Sequence, residues 1–318
     1  MSAVVFVRRG AGVARLPAPV ALEYPTGSLW LWGELEREPG GVWPTPAMWV
    51  PDVASACSGT TSLVTDAAQQ PLELVPLSAQ EVADNQNRND GRRLALRPLG
   101  GFVADNIGYL FYQELLLGPG FFDEELLATS LCRLGDRRTP CDRAQHEQIW
   151  ERSRFNWGHA AWLAADDTVY LYGCQRPAAF EDSCSVARAA LPLIGQLAAV
   201  EYYNFAQGWI ADSGNTTVLF EGPSAVTVMF NAHANAFVAV SPNIWDSRFE
   251  VRVADEPWGD FRGARLLFDA LPPNNKCSSR LVPPSWAAAR LLERQGVRPS
   301  ESLDLTAAAL DPEDYRLE

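Results

Sequence analysis

Short runs of aromatic and β-branched residues recur along this chain, each introduced by turn-forming residues. Four of them superimpose: Ser28-Leu-Trp-Leu-Trp-Gly-Glu34, Gly108-Tyr-Leu-Phe-Tyr-Gln-Glu114, Thr168-Val-Tyr-Leu-Tyr-Gly-Cys174 and Asn235-Ala-Phe-Val-Ala-Val-Ser241. The preceding turns are Thr26-Gly27, Asp105-Asn106, Asp166-Asp167 and His233-Ala234. Period-two alternation at Trp30/Trp32, Phe111 and Tyr170/Tyr172 predicts half-buried strands. A β-unit returning every ~60–80 residues predicts a radial array in which four-stranded sheets bury their faces against their neighbours. The expected fold is all-β, a five-bladed β-propeller, with long loops absorbing the generous period.

With the four runs as second strands, blade one would use residues 19–24, 29–34, 47–50 and 72–77. Blade two would use 99–104, 109–115 and 128–134, with a short outer strand near Ile149. Blade three would use 158–164, 169–173, 185–190 and 200–204, and blade four 225–231, 236–240, 249–253 and 265–268. These blades would occupy roughly 15–80, 95–152, 155–206 and 217–270 of a single domain spanning 1–318. The remainder is too irregular for an ordinary blade, and residues 286–295 read as a short helix. A fifth blade would join 280–318 to the strand within 1–10, closing the ring and removing an exposed sheet edge. Four blades is the fallback count. The Pro/Gly-rich passages 39–46, 272–275 and 283–284 read as loops.

The 318 residues, 47% hydrophobic, can bury a large core. No stretch reaches the roughly 20 apolar residues of a membrane span. A net charge of −13 disfavours nucleic acid and anionic membrane as partners, since phosphate contacts need clustered Lys and Arg. Eleven Trp, eight Tyr and fourteen Phe suit wedge-shaped cores, and also sugar-stacking platforms.

Six cysteines bear on compartment. Cys132 and Cys141 bracket one loop and Cys174 and Cys184 another, spacings that suit local disulfides and leave Cys57 and Cys277 as a long-range pair. Zinc is the competitor, but there is no C-x-x-C and only three His, so no metal is expected. Arg8 and Arg9 follow rather than precede a short apolar run, which is not a leader pattern. The expectation is a secreted or periplasmic protein whose leader is not part of this sequence, with a cytosolic protein carrying free thiols as the alternative. Asn215-Thr216-Thr217 is a formal glycosylation sequon.

In a propeller, the end of each second strand and the start of each first strand share one channel mouth. That logic gathers Glu34, Gln113, Glu114, Gln175, Arg176, Asn243 and Asp246, joined by Asn156 and His159. Two carboxylates facing across such a mouth can cleave glycosides, one protonating the leaving oxygen while the other activates water or attacks the sugar. Glu34 and Glu114 read either as that pair or as solvated and ion-paired acids. His159 reads as a ligand-contacting catalytic residue or as a hydrogen-bonded structural one; His146 and His233 read as unremarkable. Asp105, Asp166 and Asp167 read as hairpin residues. Asp84-x-x-x-x-Asn89-Asp90 reads as an oxygen-rich loop without calcium spacing. There is no G-x-S-x-G, P-loop or G-x-G-x-x-G, and no cofactor is implied.

Two passages carry a resemblance. Val251-Arg-Val-Ala-Asp-Glu-Pro-Trp-Gly-Asp260 with Ala264-Arg-Leu-Leu-Phe-Asp-Ala270 resembles a blade pattern of the type R-x-A, x-x-P, G-P-W leading into an outer strand. Phe220-Glu-Gly-Pro-Ser-Ala-Val-Thr-Val-Met-Phe-Asn231 with Ala236-Phe-Val-Ala-Val240 resembles the inner strands before it. With Leu29-Trp-Leu-Trp-Gly-Glu34 they look like a family of five-bladed propellers labelled a domain of unknown function, some members of which are endo-D-arabinanases. Over residues 15–270 the resemblance implies a carbohydrate-active propeller. Where that family has Phe-Gly-Asp, this chain has Trp32-Gly33-Glu34, which keeps an acid. The family's earlier Asp-Leu-Gly has no match in Arg15-Leu-Pro-Ala-Pro19, so the second carboxylate must come from elsewhere, and Glu114 is the choice. The expected function is hydrolysis of a furanoside-containing polysaccharide by the Glu34/Glu114 pair of a monomer, the alternative being a non-catalytic glycan- or protein-binding propeller.

Overall fold

The computed structural model describes residues 13–15, 20–31, 33, 35–37, 41–43, 45–51, 62–119, 123–136, 139–143, 149–151, 153–178, 181–222, 226–242, 248–261 and 263–269. Four antiparallel sheets follow the four aligned runs in order. The first orders Val20–Tyr24, Gly27–Leu31, Ala47–Pro51 and Ser62–Leu63; the second Arg93–Ala104, Ile107–Leu117, Glu124–Leu134 and Trp150–Glu151. The third begins Asn156–Leu163, Thr168–Ala178, Glu181–Ala190 and Glu201–Asn204, and the fourth is Thr227–Asn231, Ala236–Pro242, Arg248–Ala254 and Arg265–Asp269. A small sheet of Val13–Arg15, Leu35–Arg37 and Gly41–Trp43 stands apart, so part of the passage read as a Pro/Gly-rich loop is strand.

The expected turns form for the expected reason. Asp105 and Asn106 both take positive φ (49° and 60°), the geometry of a two-residue hairpin whose twist matches the flanking strands. Asp166 Oδ1 accepts the Thr168 N–H at 3.1 Å, and Asn231 Oδ1 accepts from His233 and Ala234 at 3.0 and 2.9 Å.

Three expectations are corrected. Residues 72–77 are not the outer strand of the first sheet; Ser62–Leu63 is. Leu74 and Val75 are buried, but their backbone bonds go to Thr45 and to the Cys141 N–H rather than to a sheet neighbour. The oxygen-rich stretch around Asp84 is a helix, Ala79–Asn87, so the described residues are mostly β with one α-helix. Ser78-x-x-Glu81 starts it as a capping box: Ser78 Oγ accepts from the Glu81 N–H at 3.2 Å, and the Glu81 carboxylate accepts from the Ser78 N–H at 2.6 Å. The third sheet is wider than expected, with Gly208–Ile210 added beyond Glu201–Asn204 and Phe220–Glu221 paired to Glu181–Ala190. The proposed fifth blade and the helix at 286–295 lie outside the described residues.

The chain divides into two compact units, one of Val4–Gly158 and Pro192–Ala199, the other of Met1–Ala3, His159–Leu191 and Val200–Glu318. In the first, the facing surfaces of the first two sheets bury Leu22, Leu29, Leu31, Trp49, Leu110, Tyr112 and Leu134. Their first strands lie side by side, and a β-carbon at Gly101 would meet Leu22 Cδ2 at 2.6 Å. In the second, the third and fourth sheets bury Tyr172, Val186, Phe220, Val228, Phe237 and Phe261. Cys132–Cys141 and Cys174–Cys184 are disulfides, one in each unit; Cys57 and Cys277 lie outside the described residues. None of the described helices is long and apolar enough to cross a membrane.

Gly158 holds φ at +96°, and a β-carbon there would sit 2.3 Å from Phe111 Cγ. Gly158→Ala combines left-handed strain with overpacking, so it should lower the unfolding free energy by about 2 kcal/mol or more. Denaturant melts of the two proteins check this, and coincident midpoints would refute it.

Candidate functional site

Glu114 interrupts an apolar face. In the strand Ile107–Leu117, Leu110, Tyr112 and Glu114 point to the side that meets the first sheet, with Leu96 and Ala128 as Glu114's lateral neighbours. The residue is 3% exposed, and a carboxylate buried so deeply needs donors. Ser130 Oγ supplies one at 2.9 Å. Gln113 is also buried but points to the opposite face of the strand, beside Arg97 and Thr129, so alternation separates two residues expected at one opening.

Ser130 is also hydrogen-bonded to Tyr112, and from there a polar chain runs on. Arg143 Nε donates to the Tyr112 hydroxyl at 3.0 Å and its guanidinium lies 5.2 Å from that ring's centroid. The same guanidinium donates to Pro76 O at 2.8 Å and grips both Glu81 oxygens at 2.7 Å. Five side chains from a helix, a loop and two strands thus form one line, Glu81–Arg143–Tyr112–Ser130–Glu114. Burial pushes the Tyr112 phenol up, and although Arg143 pulls against this the net shift is upward, so the hydroxyl stays protonated at neutral pH. Burial would raise the Glu81 carboxyl, but hydrogen bonds from Arg143 and the Ser78 N–H outweigh it and hold the group below its ordinary value.

Arg143, Tyr112, Ser130 and Glu81 were not among the residues expected from the sequence. The one local signal was Ser78-x-x-Glu81, which marks a helix start but not an arginine's partner. The Cys132–Cys141 disulfide ties down the loop that delivers Arg143, and the Arg133–Asp142 bridge extends the hold.

His159 lies in the strand Asn156–Leu163, where Asn156 is the first residue; both are half-buried. His159 Nδ1 accepts the Cys174 N–H at 3.4 Å, which puts the proton of a neutral ring on Nε2. Cys174 sits directly opposite Cys184 and is bonded to it, so a cross-strand disulfide stiffens the backbone that holds the imidazole. Beside it Gln175 Nε2 donates to Ser183 Oγ at 3.0 Å. Arg176 continues the strand Thr168–Ala178. Glu34, Asn243, Asp246 and His146 lie outside the described residues, as does the side chain of Arg176. Among the described residues no three His, Cys, Asp or Glu side chains gather as metal ligands.

A profile of the family described as Domain of unknown function (DUF5005) matches residues 76–285. No curated protein matches the chain. Among solved structures, the chain is similar to a "putative hydrolase" from Bacteroides ovatus, with a TM-score of 0.56, 14% identity, and coverage of 85% of this chain and 74% of that one. It is also similar to the GH43 protein BlXynB from Bacillus licheniformis, with a TM-score of 0.50, 11% identity, and coverage of 85% and 45% respectively. At these identities the shared property is the fold.

Removing Arg143 strands Glu81 and the Tyr112 hydroxyl, so Arg143→Ala should lower stability by about 3 kcal/mol in a denaturant titration. The depressed Glu81 carboxyl contributes stability above its ordinary value of 4.5, and that contribution is lost as pH falls through the depressed value. Glu81→Gln should therefore be less stable at neutral pH yet lose less on acidification. An acid limb as steep as the wild type's would show that the pairing is not what titrates.

Proposed function

We propose that this chain, which belongs to the family described as Domain of unknown function (DUF5005), is an exported carbohydrate-active β-propeller that hydrolyses glycosidic bonds. The observation carrying the reading is the buried carboxylate of Glu114, held by the Ser130 hydroxyl on a sheet of a fold shared with a GH43 protein. Glu34 is its partner in catalysis. One of the two protonates the leaving oxygen, and the other activates water or attacks the anomeric carbon. The polar chain through Tyr112 to Arg143 fixes the Ser130 hydroxyl, and so the Glu114 carboxylate, before substrate arrives. His159 assists, while Asn156, Arg176, Gln113, Asn243 and Asp246 bind sugar hydroxyls. The substrate is a furanoside-containing polysaccharide, of the arabinan kind that the family resemblance suggests. Five blades, the last closed by 280–318 and 1–10, complete the ring. The two disulfides fit an oxidising compartment, in keeping with export.

A second reading, a non-catalytic propeller that binds a glycan or protein, is favoured by the same 3% exposure of Glu114, which suits a structural acid. The two part on one experiment. Glu34→Gln and Glu114→Gln should each lower release of reducing ends from a furanoside polysaccharide by about a hundredfold or more. Cleavage untouched by Glu34→Gln, or a broad glycan panel left uncut by the wild type, would remove the hydrolase reading.

A further inference from the structure

The third and fourth sheets carry aromatic rings that their shared core does not use up. Trp162, Trp209 and Trp258 come from the strand Asn156–Leu163, the strand Gly208–Ile210 and the turn after Arg248–Ala254. They meet around Tyr170, whose ring stacks on Trp162 at 5.6 Å and on Trp258 at 5.7 Å and lies 6.0 Å from Trp209. Trp209 and Trp258 meet edge to face at 5.6 Å. Tyr203 packs against Trp209 at 5.2 Å, and Phe205, at the tip of the next turn, against Tyr203 at 5.5 Å.

Tyr170 is buried and forms the floor; Trp162, Trp209, Trp258 and Tyr203 are half-buried, and Phe205 is 50% exposed. Tyr170 belongs to the core, and Trp162, Tyr203, Trp209 and Trp258 pack against that core while each keeps part of its ring in solvent. The indole N–H groups add a second observation. Among the described residues no hydrogen bond engages that of Trp162, Trp209 or Trp258, and none of the three is sealed from solvent, whereas Trp30 and Trp157 bury theirs. Three donors therefore stand open to water beside three π-faces.

The rim has a definite charge. Burial pushes the Tyr170 phenol up; Arg188, by its charge and a hydrogen bond, pulls against this, while Asp166 and Glu256 add to the rise. Arg188 lies 4.3 Å over Trp209 but is already paired with Glu201 at 2.8 Å. A rim that among the described residues joins Asp166 and Glu256 to an arginine already paired with Glu201, on a chain of net charge −13, repels polyanions and accepts uncharged, hydroxyl-rich molecules. A sugar ring offers what this face lacks, C–H groups to pack on indoles and hydroxyls to meet N–H donors and carboxylates.

We propose that this face binds a neutral polysaccharide at a site separate from Arg176, one of the residues assigned to sugar contact. The strand Thr168–Ala178 shows the separation: Tyr170 lies near its turn end and Arg176 near the other, about 20 Å along the strand. The site anchors chains of substrate and does not require bond cleavage.

Affinity electrophoresis of the intact chain through gels holding soluble arabinan, arabinoxylan or glucan, with polygalacturonate as the charged comparison, tests this. At least one neutral gel should retard the wild type, and polygalacturonate should not. Retardation should weaken about tenfold in Trp209→Ala and in Phe205→Ala and persist in Glu114→Gln, which probes cleavage alone. Thermal melts accompany each variant; if Trp209→Ala fails to fold, Phe205→Ala decides, since its half-exposed ring carries little of the core. Free migration of the wild type in every neutral gel would overturn the site, and so would undiminished retardation of folded Phe205→Ala. A wild-type dimer that Phe205→Ala dissociates would overturn it by assigning the face to a second copy of the chain.

Discussion

A guanidinium cannot shed its charge on burial, and Arg143 is 8% exposed. Much of the first unit is arranged around that demand. The counter-charge comes from Glu81, whose position depends on the helix it helps to cap, so one carboxylate serves both the helix start and the buried cation. Two further acceptors, Pro76 O and the Tyr112 hydroxyl, bring in the loop before the helix and the centre of the second sheet. The Cys132–Cys141 disulfide closes two residues short of the arginine and limits where its backbone can stray. Local elements that share no sequence neighbourhood are thus fixed to one another by a single unneutralisable group.

That constraint reaches the candidate chemistry. Glu114 stands at the far end of the same line, so the orientation of its carboxylate is inherited through Ser130 and Tyr112 rather than chosen by solvent. A fixed carboxylate suits general acid–base work, because nothing need reorganise as charge develops. The second unit has its own buried cation in Arg252, which donates to Ser241 and Glu250 and lies 5.8 Å from the Phe220 ring centroid. Burial lowers its pKa, and Glu250 and Glu221 oppose this without reversing it. In both units, then, sheets of alternating apolar residues are pinned by a few polar groups, whose partners come from far along the chain in the first unit and from the same sheet in the second. The aromatic face over Tyr170 is the complement, a surface that the packing leaves unsealed.

Strand positions were largely legible because they follow from side-chain alternation and from turn residues, both near-neighbour effects. The hairpins at Asp105-Asn106 and Asp166-Asp167 were readable for that reason, and so were the two loop-bracketing disulfides. Two misreadings were also local. Ser78-x-x-Glu81 was a visible helix start that the acids around Asp84 obscured, and the apolar run at 72–77 has strand composition but spends its hydrogen bonds elsewhere. Glu114 could be singled out as an acid ending an aromatic run, yet the sequence placed it at an open mouth, whereas the fold buries it.

By itself the sequence determined the repeating strand units, their turns and the nearby cysteine pairs, since each depends on sterics within a few residues. Tertiary structure alone decided that Glu81, Arg143, Tyr112, Ser130 and Glu114 form one line, and which tryptophans keep a face in water. Those outcomes depend on strand register and sheet packing summed over tens of residues, where a one-residue slip would turn each side chain to the opposite face.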